Sequence, residues 1–357
     1  MTDSTTAPPT TMRGWQINAA GPLTKTLQLN AAIPYPSQPL KQGQVLVRVA
    51  YASINPADYK FPELGLAARA VLKLPKTLAM DLSGRVVAAG PGSTLAPGAR
   101  VVGRVDPLQS AGGGLAEYVV LERDGCAPVA DSVPLDQAAG AGTAGLTALQ
   151  SIVPNIVVGE GEGKAAAAAA APRVFLNGGT GGTGTFAIQV AKAAGCHVTV
   201  SCSTAKVDLC KGLGADEVVD YKTTDLVKHL QDQGPVYDLA VDYVGTPSTL
   251  YKAADVYLKP AAKFVMVAGA PGLAGVLGTT RNILLPGFLG GGKHKFDVYM
   301  TKNRHDDLAR LAKWMGEGKV KTVVHKVYPF EETPQAFEEL KKGAATGKIV
   351  IRVGEEA

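Results

Sequence analysis

The sequence predicts an α/β protein in two parts: a doubly wound parallel sheet, and a smaller β-barrel-like domain that precedes it and is closed by the end of the chain. Three observations carry this. Residues 174–202 (VFLNGGTGGTGTFAIQVAKAAGCHVTVSC) read as strand, glycine turn, helix and second strand without interruption. Strand-like and helix-like segments then alternate as far as Ala268. Before Ala138 the chain is made of short strands punctuated by glycine and proline turns, the texture of a small barrel.

The 357 residues are enough for two modest domains, and 46% hydrophobic with 19% charged residues is the balance of an ordinary globular chain. A net charge of +5 with no long Lys/Arg run argues against nucleic acid as the main partner. Four cysteines, Cys126, Cys196, Cys202 and Cys210, form no C-x-x-C pair, which points to a reducing compartment. The opening MTDSTTAPPTTMRGW has neither an apolar core nor an arginine-rich pattern, so a cytoplasmic location is expected.

In chain order, residues 1–11 are polar and proline-containing, a loose tail. Strands begin after Arg13. In 44–50 (QVLVRVA) Val45, Val47 and Val49 alternate with Leu46, Arg48 and Ala50. In 52–60 (ASINPADYK) Pro56 forces Asn55 into an extended or turn conformation, which presents its amide at a strand end. Residues 82–89, 99–105 and 115–121 are further short strands. At Ala138 the texture changes to AAGAGTAGLTALQSI, whose Leu146, Leu149, Ile152 and Val153 suit a helix, and a domain boundary is placed there. The stretch 159–172 is low in complexity, and its alanines Ala165 to Ala171 read as a surface connection.

Val174, Phe175 and Leu176 then make a short apolar run, as in a parallel strand buried on both faces. Gly179, Gly181 and Gly184 satisfy G-x-G-x-x-G, with Gly182 and Thr183 between them, and Phe186, Ile188, Val190 and Ala191 supply the buried side of a helix. The glycines allow a sharp bend, close approach to a pyrophosphate and tight helix packing, while the helix N-terminus attracts negative charge. The stretch is a dinucleotide clamp of Rossmann type. Beyond it come strand 217–220, helix 225–231, strand 238–244, helix 247–258 and strand 263–268. Residues 264–292 are apolar but broken by Pro271, Arg281, Pro286 and several glycines. That excludes a membrane span and leaves core strand, substrate loop or subunit contact, so a homodimer stays open. Residues 308–353 return to helix, strand, helix and strand, closing the first domain.

With these segments the sequence resembles the medium-chain dehydrogenase/reductase superfamily, in its quinone oxidoreductase branch. The resemblance rests on SINPADYK (53–60), AMDLSGRVVAAGPG (79–92), PGARVVGR (97–104), GGLAEYVVL (113–121), AGLTAL (144–149), GGTGGTGTFAIQVAK, VDYVG (241–245) and EGKVKTVVHKVYPFEETPQAFEELKKGAATGKIVI, in the family's order. Within that branch it is similar to zeta-crystallin-like quinone reductases, mitochondrial reticulon-interacting reductases and fungal trans-acting enoyl reductases. It implies a GroES-like catalytic domain of residues 1–138 and 318–357 around a Rossmann domain of residues 139–317.

An NAD site holds its ribose with an acidic side chain about twenty residues past the glycine turn. Here that place is Ser203-Thr204, and Ser203 with Lys206 suits a 2′-phosphate; Tyr221 matches a family tyrosine on the same phosphate, so NADPH is the expected cofactor. Zinc is not expected, because the turn that bears ligands in zinc relatives has Ser53, Ile54 and Asn55, and the five histidines (His197, His229, His294, His305, His325) are scattered. Without a metal, hydrogen bonding at a substrate carbonyl must raise its electrophilicity. The resemblance assigns that to Asn55 and Tyr59, against a brace for the turn and a packing or solvent-facing ring respectively. It also places Thr147, Val244, Gly245, Gly269 and Lys348 on the cofactor. The expected substrate is a small quinone or conjugated enone. The alternatives are a trans-acting enoyl reductase on carrier- or CoA-bound substrates, and an NADPH-binding structural or interaction protein with little turnover. The substrate lobes are read as 61–76 and 269–295.

Overall fold

The computed structural model describes residues 9–36, 39–70, 72–156, 171–245, 249–267 and 294–356. The chain divides into two compact units, one of Met1–Thr143, Asn303–Gly316 and Val324–Ala357, the other of Ala144–Lys302 and Glu317–Val323. The division falls at Thr143/Ala144, where the sequence reading put 138/139, and residues 303–316, read with the Rossmann segment, group with the first unit.

In the second unit six strands form one parallel sheet in the order Glu217–Asp220, His197–Cys202, Arg173–Asn177, Tyr237–Asp242, Leu258–Met266, Lys295–Val298. The order runs outward both ways from the first strand of the unit, so the direction of winding reverses between Arg173–Asn177 and Tyr237–Asp242. This is the doubly wound Rossmann arrangement, in which ligands bind beyond the carboxyl ends of the strands at that reversal. Val174, Phe175 and Leu176 are fully buried because the first strand is central and covered on both faces. Phe175, Tyr237 and Tyr257 pack edge to face, with ring centroids 6.1–6.2 Å apart.

The helix expected over 247–258 is two short ones, Thr249–Lys252 and Ala254–Tyr257, and the next strand begins at Leu258 rather than 263. Its register slips between Tyr237↔Leu258 and Leu239↔Lys263, and the slip accommodates Pro260, which has no N–H for the ladder. Most of 264–292 and all of the alanine run save Ala171 lie outside the described residues.

The first unit is mainly antiparallel. Val324–Pro329, Lys348–Arg352, Val45–Ile54, Asp81–Ala89, Arg100–Arg104 and Cys126–Pro128 pair in that order, Tyr118–Leu121 joins Val45–Ile54, and Leu27–Pro34, Thr11–Ile17 and Lys76–Thr77 make a smaller sheet. Ile17, Val47, Leu82, Val101, Leu115 and Ile351 fill one core. This is the GroES-like barrel, and both ends of the sequence build it, because Ile349 pairs with Ile54. All four cysteines are buried free thiols. Among the described residues no helix is long and apolar enough to cross a membrane.

Candidate active site

The dinucleotide cradle lies at the carboxyl end of Arg173–Asn177. The helix Gly182–Ala193 starts after Gly181 with no side-chain cap, so the first-turn N–H groups of Gly182, Thr183 and Gly184 lack intrahelical acceptors and are available to an anion. The glycines have separate reasons. A Cβ on Gly184 would lie 2.0 Å from the Gly178 oxygen, and one on Gly179 would lie 2.3 Å from Val200 Cγ2, so both are demanded by packing. Gly181 has nothing within 4 Å of such a Cβ, which leaves its backbone open to a phosphate. Gly178 has φ +92°, and a Cβ on it would meet Val244 Cγ2 at 2.5 Å.

Three strand ends are tied together beneath this turn. Ser201 Oγ donates to Asn177 Oδ1 (2.6 Å) and Gly178 N to Ser201 Oγ (3.1 Å). Asn177 Nδ2 donates to Asp242 Oδ1 (2.8 Å), which also accepts from Val244 N (2.9 Å) and Gly245 N (3.1 Å). Val244 is exposed and Gly245 takes φ +70°, so strand ends and glycine turn form one preorganised frame. Sequence reasoning named Val244 and Gly245 and missed the Asn177–Asp242 pair that holds them.

At the next strand end, Ser203 precedes the turn Thr204–Lys206, and Lys206 N donates to Ser203 O (2.9 Å). Tyr221 N donates to Cys202 O (3.1 Å), the Tyr221 ring is 49% exposed, and the Lys222 ammonium stands 5.6 Å from its centroid. A hydroxyl, two cations and an open aromatic ring therefore share this end of the sheet, a donor set that fits a 2′-phosphate. One acid also lies there. Asp220 is in register with Cys202, accepts from Lys222 N (2.9 Å), and is held below the usual carboxylate range by the Thr204 hydroxyl.

Thr147 is buried on the helix Gly142–Ile152, its hydroxyl bonded to that of Thr301. On the same helix Gln150 takes hydrogen bonds from Tyr299 Oη and Lys302 N. Gly269 lies outside the described residues.

The first unit holds a buried polar cluster. Asn55 is extended (φ −128°, ψ 156°), as Pro56 requires. It stands at the N-terminus of the turn Pro56–Lys60, where Asp58 Oδ2 accepts from Asn55 N (2.7 Å) and Asp58 Oδ1 from Met80 N (3.0 Å). An asparagine here ordinarily caps with its side chain. Beyond its place in a capping box with Asp58, the Asn55 side chain reaches two further groups: Nδ2 donates to Asp81 Oδ2 (2.8 Å), and Oδ1 accepts from Lys348 Nζ (2.5 Å).

Lys348 also donates to Ile54 O (3.2 Å) and lies 3.5 Å from Asp81 Oδ2. Asp81 Oδ1 accepts from both Thr143 N (2.7 Å) and Thr143 Oγ1 (2.6 Å). Asn55, Asp58, Asp81 and Lys348 are all at least nine-tenths buried. Burial pushes the Asp58 carboxyl up to about 7, and the Asp81 charge adds to this against the Asn55 N–H, the Lys348 ammonium and the Met80 N–H. Burial holds the Lys348 ammonium below the ordinary lysine value against the pull of Asp81 and Asp58.

Tyr59 packs half-buried on the core of this unit, with the Lys341 ammonium 5.2 Å from its ring centre. Its hydroxyl makes no hydrogen bond with a described residue, and burial, then Glu63, pushes its phenol up. Of the residues carried over from the resemblance, Asn55 and Lys348 are brought together, while Tyr59 stands outside their bonds. Asp58 and Asp81 were in view within SINPADYK and AMDLSG but assigned nothing.

The turn at Ser53, Ile54 and Asn55 does not fit zinc. Ser53 Oγ donates to Ile349 O (2.9 Å), Ile54 offers no donor atom, and the Asn55 amide is engaged on both sides. Among the described residues no group of three or more His, Cys, Asp or Glu is placed to hold a metal ion. Most of the histidines have local partners instead, His229 on Glu217 and His305 on Cys126 O (both 2.9 Å), His294 on Ala262 O (3.1 Å).

Comparison with known proteins agrees with this architecture. Residues 41–131 match the alcohol dehydrogenase GroES-like domain and residues 213–351 the zinc-binding dehydrogenase family. Trans-enoyl reductase pgmF of Aspergillus terreus is 41% identical over 361 residues, covering 97% of this chain and 98% of its own. The human mitochondrial NAD(P)H oxidoreductase RTN4IP1 is 31% identical, covering 98% of this chain and 91% of its own. Among solved structures, the quinone oxidoreductase from Coxiella burnetii is similar with a TM-score of 0.76 at 26% identity, over 96% of this chain and 99% of that one. The nicotinamide cradle, the barrel built from both chain ends and similarity running the length of the chain lead to one assignment: the protein is an oxidoreductase that belongs to the medium-chain dehydrogenase/reductase superfamily, in its quinone oxidoreductase-like branch.

Proposed function

We propose that this protein is an NADPH-dependent reductase of quinones or conjugated enones that works without zinc. The observation that carries the proposal is the turn at Asn55, where a clamped amide stands in place of thiol or imidazole ligands. The bound cofactor supplies hydride, and the chain supplies everything else. Gly181, Gly182, Thr183 and Gly184 take the pyrophosphate on free N–H groups; Ser203, Lys206 and Tyr221 take the 2′-phosphate. Thr147, Val244 and Gly245 border the nicotinamide end. Asn55 has a second Nδ2 hydrogen with no acceptor among the described residues, and this hydrogen stabilises the negative charge that gathers on the substrate oxygen. Tyr59, whose hydroxyl has no hydrogen-bond partner among the described residues, is the candidate for delivering the proton. The first unit, Met1–Thr143 with Asn303–Gly316 and Val324–Ala357, carries Asn55, Tyr59 and Lys348.

The length-wide 41% identity to a trans-enoyl reductase favours a second reading, reduction of enoyl groups bound to a carrier protein or CoA. NADPH oxidation measured with a quinone panel, an enone panel and enoyl thioesters separates the two. Turnover of free quinones or enones supports the first, and turnover confined to thioesters supports the second. Binding of NADPH with no turnover of any panel identifies a nucleotide-binding protein with a structural role.

A further inference from the structure

Asp81 is 0% exposed and takes four donors on two oxygens: Asn55 Nδ2 and Lys348 Nζ on Oδ2, Thr143 N and Thr143 Oγ1 on Oδ1. Its surroundings are built tightly around it, since a Cβ on Gly142 would fall 2.6 Å from Asp81 Oδ1 and 3.1 Å from Gly103 O. An isolated amide can turn over at little cost, because its oxygen and nitrogen are nearly the same shape. The Asn55 amide cannot. A carboxylate accepts only and an ammonium donates only, so Asp81 fixes the Nδ2 end and Lys348 the Oδ1 end. Thr143 carries the same restraint to the start of Gly142–Ile152, one turn before Thr147.

We propose that Asp81 is a positioning residue for the reduction: with Lys348 as its counterpart it locks the Asn55 amide in one orientation, keeping the second Nδ2 hydrogen aimed at the substrate oxygen. The inference rests on the role given to Asn55 in the proposed function. Asp81 touches no substrate and acts only through Asn55 and Thr143.

The test is Asp81→Asn, which keeps the shape but offers Asn55 either an oxygen or an NH₂ group. The expected result is a fall in kcat of about ten- to a hundredfold, with KM for NADPH changed by less than about threefold. A crystal structure of the variant is expected to show the Asn55 amide turned over or withdrawn from Lys348. An unmoved amide overturns the proposal, as does kcat within about twofold of wild type or an NADPH affinity that falls as far as kcat. If wild type turns over no quinone, enone or enoyl thioester, the proposed function fails, and the position of the Asn55 amide still decides the lock. If Asp81→Asn does not fold, Thr143→Val and Thr143→Ser replace it. Loss of the hydroxyl in Val is expected to lower kcat about threefold or more while Ser stays near wild type; equal effects of the two overturn the proposal.

Discussion

Gly184 sits so close to Gly178 that a Cβ on the first would lie 2.0 Å from the carbonyl oxygen of the second. Gly181, three residues earlier, has open space at the same point. The two glycines therefore separate packing from ligand approach. Gly184→Ala should lower unfolding free energy by about 2 kcal/mol in urea, since neither backbone can yield. Gly181→Ala should leave stability unchanged and weaken NADPH binding about tenfold or more, because a methyl group would stand where the pyrophosphate meets the backbone. Loss of stability at Gly181 with intact binding contradicts this division.

The charges beside Ser203 act in opposite directions. Lys206→Ala should reduce the NADPH-over-NADH affinity ratio about tenfold, through loss of one charge-assisted contact to the 2′-phosphate. Asp220→Asn should raise the same ratio a few-fold by removing a carboxylate from that end of the sheet. Fluorescence titration of both cofactors reads both changes, and equal wild-type affinities for NADPH and NADH remove the basis for either.

Lys348 is 3% exposed and faces Asn55 Oδ1, Ile54 O and Asp81. Lys348→Met fills the space but leaves Asp81 buried without its cation. The expected cost is about 3–5 kcal/mol in urea denaturation. A loss under about 1 kcal/mol is that of an exposed pair and contradicts the burial.

Asp58 makes stability depend on pH. Its folded value, about 7, lies above the ordinary 3.8, so between those limits the folded chain keeps a proton that the unfolded chain has released. Raising pH through that window therefore favours unfolding. The charged groups around it are Asp81, Lys348 and Lys76. The stability advantage of wild type over Asp58→Asn should shrink from about pH 4 to about pH 7 and be level above it. Thermal unfolding of both proteins across that range measures the slope, and a rising advantage reverses the assignment.

The glycine turn was legible because every part of its signal is local: strand, turn and helix are contiguous, and the alternation that follows fixes a parallel sheet. The polar cluster was not. Asp81 and Lys348 are 267 positions apart and Asn55 and Lys348 are 293 apart, so no window of sequence contains them, and the ionisation of Asp58 depends on burial that only the fold creates. Asp220 escaped for a geometric reason. Counting about twenty residues from the turn follows one strand, whereas a parallel neighbour brings Asp220 level with Cys202. Pro260 was visible, but the slip that accommodates it depends on the register of its strand against Tyr237–Asp242.

Lys348–Arg352 pairs with Val45–Ile54, and this has a consequence for biosynthesis. A ribosome releases Asn55, Asp58 and Asp81 long before Lys348, and translation proceeds from the N-terminus. The nucleotide-binding strands, from Arg173 to Val298, have all emerged by then. A nascent polypeptide halted short of residue 348 thus carries two buried-to-be carboxylates with no ammonium to meet them.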